Sequence, residues 1–207
     1  MTLAITETLR KYFIMGSQNC DRDPIEILKV AAAAGITAFQ FREKGEGSLT
    51  GNKKLELGKH LREICCEHNI PFIVNDDIEL VDLLEADGVH VGQDDQSVKY
   101  LRKLFPNKII GLSVSNASEV AKSPISLVDY IGAGPIFDTG TKPDAKTVVG
   151  LEWIIALREQ FPKLPIVGIG GISPKNAATV IDAGADGVSV ISAITKAENI
   201  KQAVYSI

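Results

Sequence analysis

IVGIGGISPKNAATVIDAGADGVSVIS, residues 166–192, contains the pattern that decides the fold. Two short runs of β-branched and small residues, IVGIG at 166–170 and GVSVIS at 187–192, flank a helix-forming stretch that closes on Gly184. A strand that is apolar at nearly every position is covered on both faces, and a helix joining two such strands is the crossover of a parallel sheet. The unit recurs outward from here. YFIM starts at Tyr12, AFQFR at Ala38, FIVN at Phe72, GVHVG at Gly88, IIGLSVS at Ile109 and YIGAG at Tyr130, which with the first two runs makes eight predicted strands. The stretches between them read as helices, with Gly35, Gly88 and Gly184 placed as helix ends and a last helix expected near residues 195–205. Eight β/α units in 207 residues predict a single α/β domain over 1–207, a (β/α)8 TIM barrel. The alternative is a doubly wound open sheet. No strand is followed by GxGxxG, and the first turn, GSQNCDRDP, is unlike a dinucleotide fingerprint.

Composition narrows the function. At 45% apolar and 23% charged the chain can bury a core without disulfides or a structural metal. With 26 acidic against 22 basic side chains it has no basic footprint for nucleic acid. No run approaches a membrane span, and the opening MTLAITETLRKYFIMG mixes charges into its apolar positions, so neither a membrane segment nor a secretory signal is expected. Cys20, Cys65 and Cys66 are odd in number and form no CxxC pair, the usage of reduced thiols in the cytoplasm.

In a barrel the chemistry sits on the loops that follow the strand C-termini. Gln40, Arg42 and Lys44 alternate, so on a strand all three face the barrel interior. Two cations there either pair with Asp76 or Glu43 as structural ion pairs or face a bound polyanion, for which Arg supplies a planar fork and Lys a point charge. Asp76 and Asp95 follow neighbouring strands and bring two hard oxygen ligands to one rim, a set that suits Mg2+ sharing its shell with substrate phosphates. The competing reading for Asn75, Asp76 or Asp77 is a cap on the next helix. Gly171 precedes a helix start expected at Ser173-Pro174, and with Ile191 and Ser192 it outlines a second anion site between the last two strands. The plainer alternative is glycines that permit tight turns. Two anion sites in one barrel mouth point to two phosphorylated substrates. His60 and His68 fall in a helix, and His90 reads as a hydrogen-bonded core residue of the fourth strand ahead of a base.

Taken in order, QFREKG (40–45), VNDD (74–77), HVGQDD (90–95), GLSVS (111–115), GPIFDTGTKPDA (134–145), VGIGGI (167–172) and GVSVISAI (187–194) resemble the thiamine phosphate synthase family over nearly the whole chain. The resemblance implies a transferase that joins 4-amino-5-hydroxymethyl-2-methylpyrimidine diphosphate to 4-methyl-5-(2-phosphoethyl)thiazole and releases pyrophosphate. By position, Gln40, Arg42, Lys44, Asn75, Ser113 and Lys142 would hold the pyrimidine diphosphate, with Arg42, Lys44, Ser113 and Lys142 acting in catalysis. Asp76 and Asp95 would bind Mg2+, and Thr139, Gly140, Thr141, Gly171, Ile191 and Ser192 would hold the thiazole phosphate. The family usually has Pro where this chain has Asp138, which would free the loop or add a carboxylate near the thiazole pocket. The implied chemistry is Mg2+-assisted dissociative departure of pyrophosphate followed by capture of the pyrimidine cation, and it needs no activated nucleophile. The other readings are a thiazole tautomerase of the same superfamily and a non-catalytic thiamine-phosphate-binding regulator. Expected partners are two phosphorylated small molecules, with no nucleic acid and no membrane, and the reading leaves room for a homo-oligomer.

Overall fold

The apolar runs pair in chain order, each parallel to the next, and the last pairs with the first, so the expected barrel closes. A computed structural model describes residues 5–140 and 147–207. Its strands are β1 (Lys11–Met15), β2 (Ala38–Phe41), β3 (Phe72–Asn75), β4 (Gly88–Val91), β5 (Ile109–Val114), β6 (Tyr130–Ala133), β7 (Ile166–Ile169) and β8 (Gly187–Val190). Around them lie α1 (Ile5–Thr8), α2 (Pro24–Ala33), α3 (Gly51–Glu67), α4 (Glu79–Leu83), α5 (Val98–Leu104), α6 (Ala117–Lys122), α7 (Leu151–Gln160), α8 (Ala177–Asp182), α9 (Ser192–Thr195) and α10 (Ile200–Tyr205). Among the described residues no helix is long and apolar enough to cross a membrane.

Alternation along each strand divides the apolar side chains between two cores. Phe13, Met15, Phe39, Phe41 and Phe72 point outward and pack beneath the helices, where Leu28, Leu61 and Leu101 are fully buried. Tyr12, Ile14, Ala38, Ile73, Tyr130 and Val167 point inward and fill the barrel, with Leu9 packed among them. Each large apolar side chain so buried contributes about 1.5–3 kcal/mol relative to exposure, which explains why strands covered on both faces carry no polar alternation.

The N-terminal rim repeats one device. Asp87, Asp129 and Asp186 each stand just before an even-numbered strand and accept from the backbone N–H at the head of the preceding odd strand: Phe72 at 2.8 Å, Ile110 at 2.7 Å and Ile166 at 2.8 Å. An arginine on the helix that leads into the odd strand closes each clamp, with Arg62 Nη1 3.3 Å, Arg102 Nη2 2.6 Å and Arg158 Nη2 2.5 Å from the carboxylate. Arg102 and Arg158 also donate to carbonyls beyond their own helices, including those of Lys108 and Leu164. In the first pair of strands Thr37 takes the aspartate's place, its Oγ1 accepting from the Lys11 N–H at 2.8 Å.

The structure shortens or moves several expected helices. The one after β7 starts at Ala177 instead of Ser173-Pro174, because the Asn176 side chain folds back to accept from the Ser173 N–H at 2.8 Å and holds residues 173–176 as a turn. The single last helix is two, α9 and α10, the second capped by Asn199, which accepts from the Gln202 N–H. Gly35 and Gly184 close helices in the left-handed region, at φ 95° and 109°. Gly88 does not. It opens β4, where a side chain would run into Ile109 and Ile73 on the two neighbouring strands.

Candidate active site

The C-terminal mouth of the barrel holds a cavity of about 600 Å³. Gln40, Arg42, Lys44, Asn75, Asp76, Asp95, Ser113, Thr139, Gly140, Gly171, Ile191 and Ser192 all line it, so strand ends far apart in sequence converge there. Thr141 and Lys142 lie outside the described residues. Asp138 also lines the cavity.

One wall is charged. Gln40 and Arg42 are 1% and 4% exposed, which places the alternating face of β2 and its extension inside the barrel as expected. Lys44 Nζ lies 2.5 Å from Asp76 Oδ2 and 3.9 Å from Asp95 Oδ1, so the Asp76 ion pair is formed. Glu43 takes no part in that pair. Its carboxylate accepts from the Ser17 N–H and hydroxyl and from the Leu49 N–H, tying the loops after β1 and β2 together. Burial pushes the Asp76 carboxyl above the usual carboxylate range, the Lys44 hydrogen bond opposes this, and the neighbouring Asp95 charge reinforces it. For Lys44, burial acts to lower the ammonium pKa, but the hydrogen bond and charges of Asp76 and Asp95 prevail and raise it.

Asp76 is not a helix cap. The residue at the α4 N-terminus, Ile78, has no side-chain cap, and Asp77 is engaged by Lys54 at 2.8 Å. Asp76 instead adopts φ 59°, a left-handed conformation costing about 1–3 kcal/mol in a non-glycine residue, while its N–H extends the sheet by donating to the His90 carbonyl. That backbone turn aims the carboxylate at Lys44 and Asp95. Asp95 is fixed in turn by the Gly92 N–H, which donates to its Oδ2 at 2.8 Å and leaves Oδ1 toward Lys44. Two carboxylates gathered about a positive group form a hard-oxygen set that fits a divalent cation, with the Lys44 ammonium as the stand-in. Among the described residues no group of three or more His, Cys, Asp or Glu is arranged to hold a metal, so these two would form a partial shell.

The opposite wall is made of backbone. Gly170 and Gly171 have φ 96° and 64°, and a Cβ on Gly171 would lie 2.5 Å from the Asp138 carbonyl oxygen. The Ile136 and Phe137 N–H groups donate to Ile169 and Gly170, so the loop after β6 is zipped onto the end of β7. These glycines are therefore required by a tight turn and a close approach, whatever anion they also admit. Ile191 and Ser192 at the start of α9 complete the wall.

The floor was not anticipated as a unit. Gln40 Nε2 donates to Tyr12 Oη at 2.9 Å, the Tyr12 and Tyr130 hydroxyls are 2.8 Å apart, Tyr130 Oη is 2.9 Å from His90 Nδ1, and His90 Nε2 is 2.8 Å from Ser113 Oγ. His90 is thus the hydrogen-bonded interior residue expected of the fourth strand. The only sequence signal for this floor is the inward parity of Tyr12, His90 and Tyr130 on their strands. None of the three cysteines lines the cavity; burial and the nearby Glu43 charge push the Cys20 thiol up to about 12, and burial raises Cys65 as well.

Comparison with known proteins points to one family. A family model described as thiamine monophosphate synthase matches residues 11–194. A thiamine-phosphate synthase of Oceanobacillus iheyensis is 66% identical over 196 residues, 95% of each chain. One from Bacillus thuringiensis is 53% identical over 195 residues, 94% of this chain and 89% of the other. Among solved structures, a thiamine phosphate pyrophosphorylase from Pyrococcus furiosus superposes with a TM-score of 0.86 at 33% identity, covering 98% of this chain and 95% of that one. A 3-hexulose-6-phosphate synthase, at 15% identity and a TM-score of 0.62, shares the fold alone. With a cavity that collects the motif residues of seven sequence segments and a family model that covers all eight strands, this chain belongs to the thiamine monophosphate synthase family.

Proposed function

We propose that the chain joins 4-amino-5-hydroxymethyl-2-methylpyrimidine diphosphate to 4-methyl-5-(2-phosphoethyl)thiazole, releasing pyrophosphate and leaving thiamine phosphate. The observation that carries the reading is the two-sided mouth: cations and carboxylates grouped on one wall, a glycine-bearing backbone wall on the other, both on one cavity. Gln40, Arg42, Lys44, Asn75 and Ser113, with Lys142, hold the pyrimidine diphosphate. Thr139, Gly140, Gly171, Ile191 and Ser192, with Thr141, hold the thiazole phosphate. Asp76 and Asp95 hold Mg2+, which when bound supplies positive charge to the diphosphate oxygens.

The C–O bond between the pyrimidine methylene and the diphosphate breaks with its electron pair leaving on pyrophosphate, and the thiazole nitrogen lone pair then forms the new C–N bond. No proton need move. The protein's task is electrostatic and spatial. Arg42 and Lys44 meet charge that grows on the leaving group, so their interactions strengthen toward the transition state. The barrel floor keeps water from the exposed cation until the thiazole reaches it. Lys44 leaves Asp76 for a phosphate oxygen as the diphosphate arrives, freeing that carboxylate for the metal. The setting is the cytoplasm, in keeping with the free thiols Cys20, Cys65 and Cys66.

Steady-state pyrophosphate release from the mixed substrates with Mg2+ tests the reading. Release that requires both substrates and the metal is the expected result. Turnover of the thiazole phosphate alone, or binding without release, would replace this function with another.

A further inference from the structure

The floor of the cavity is a file of hydrogen bonds, Gln40, Tyr12, Tyr130, His90 and Ser113, drawn from five different strands or their ends, with the Gln40 amide also facing the Tyr130 hydroxyl. The sheet is hollowed where the file crosses it. Gly111 lies between His90 and Tyr130 in register, and a methyl there would overlap both the Tyr130 ring and His90 Nδ1; one on Gly132 would sit 3.2 Å from His90 Cε1. Burial raises both phenol pKa values above their ordinary range, so each hydroxyl keeps its one proton. A neutral imidazole likewise carries one N–H. A phenol oxygen can also accept twice, but its own buried proton is then left without an acceptor in the file, so only two directions use every proton.

In the first, the Gln40 amide N–H donates to Tyr12, which commits the Tyr12 proton to Tyr130 and the Tyr130 proton to His90 Nδ1. The imidazole proton then sits on Nε2 and is donated to Ser113 Oγ. Ser113, having accepted, keeps its own proton for a group in the cavity it lines. With the Gln40 amide reversed every bond reverses: His90 carries its proton on Nδ1, Ser113 donates to Nε2, and the hydroxyl faces the cavity only as an acceptor. A polyanionic ligand has acceptors to be met and almost no donors, so only the first direction suits it.

We propose that this file is a tautomer lock, in which Gln40, Tyr12, Tyr130 and His90 serve as positioning residues that hold Ser113 as a hydrogen-bond donor toward the diphosphate-bearing substrate. The identity of the acceptor rests on the function proposed above; the direction of the file does not.

The direction is read by nitrogen-15 NMR of the histidine-labelled whole protein at pH 8 without substrates, His90 being assigned by the loss of its signals in His90→Gln. The expected result is a protonated Nε2 and a bare Nδ1. Gln40→Glu puts an acceptor-only carboxylate at the head of the file and should move the proton to Nδ1. Tyr130→Phe, which removes one oxygen and keeps the volume, should give a mixture of tautomers and lower kcat about tenfold, with no further loss when added to Ser113→Ala. Nδ1–H or imidazolium in the wild type, or an unchanged single tautomer in Tyr130→Phe, overturns the proposal, and the latter variant decides it even where Gln40→Glu does not fold. Because the tautomer is read without substrate, a protein that shows the lock yet releases no pyrophosphate would fail the functional reading alone.

Discussion

The two rims of the barrel treat charge in opposite ways. At the N-terminal rim an aspartate accepts from a strand N–H and pairs with an arginine in each clamp, and in the Asp129 and Asp186 clamps the arginine's remaining donors go to nearby carbonyls. The device recurs at Asp87, Asp129 and Asp186 because it solves the same problem each time, fastening an odd strand to the even strand that follows. At the C-terminal rim nothing recurs. Lys44, Asp76 and Asp95 crowd together, one backbone is held left-handed, and burial acts to lower the ammonium pKa and raise the Asp76 carboxyl. Repetition marks the rim that holds the fold, and irregularity with strain marks the rim that meets a ligand.

That contrast breaks most readily at Asp76 and Asp95. Replacing either with alanine should lower kcat at least about a hundredfold, since a transition-state charge contact worth roughly 3 kcal/mol is lost with the metal ligand. Thermal stability should stay within a few degrees, and Asp76→Gly should be no less stable than Asp76→Ala because it relieves the positive φ. A large fall in melting temperature with turnover preserved would mean that the upper carboxylates are structural after all.

Asp186→Ala should invert this result. It leaves the Ile166 N–H and the Arg158 guanidinium without their shared acceptor, a loss of about 2–3 kcal/mol, visible as a melting temperature lower by roughly 5–10 °C. Both KM values and kcat of the folded fraction should be unchanged. Reduced kcat at full stability would show that the lower rim reaches into the chemistry.

Within the upper rim, Arg42→Ala and Gly171→Ala sharpen the picture by separating its walls. Arg42→Ala should raise KM for the pyrimidine diphosphate and lower kcat, a combined loss of about 1.5–3 kcal/mol in kcat/KM. Gly171→Ala should chiefly raise KM for the thiazole phosphate, and because a Cβ meets the Asp138 carbonyl it should also cost about 1–2 kcal/mol of stability. If both variants weaken the same substrate, the mouth contains one anion site. The smallest effect is expected at Thr37→Val, where the clamp is a hydroxyl with no arginine: about 1 kcal/mol in denaturant unfolding and no change in rate. A loss equal to that of Asp186→Ala would show that the arginine adds nothing to the clamp.

The barrel was legible because strands covered on both faces leave unbroken apolar runs, and YFIM, FIVN and IVGIG carry that pattern without interruption. Helix limits were less so. Residues 173–176 have helix-compatible composition, but the Asn176 side chain competes for the Ser173 N–H, a local bond that composition does not disclose. The clamps were open to reading: ADGVHV at 86–91, VDYIGA at 128–133 and ADGVSV at 185–190 repeat an aspartate just ahead of an even strand. That signal lies at the strand beginnings, at the opposite end of the barrel from the loops that bear chemistry. The upper cations could be placed by strand parity and the carboxylates by the neighbouring strands they follow, whereas inward parity alone does not join the floor, since Tyr12, His90 and Tyr130 meet only when the sheet closes.

Lys44 gives the free protein a resident counterion. Its ammonium offsets part of the charge on the carboxylates that the metal would use, so on the proposed function substrate entry would be an ion exchange in which one cation is evicted as another arrives with the polyphosphate. Each incoming partner is then favoured by the presence of the other: the metal alone must displace the lysine into open water, and the diphosphate alone must draw it away from two bared acids. Binding of metal and diphosphate would then be cooperative, and by linkage each would tighten the other by the same factor.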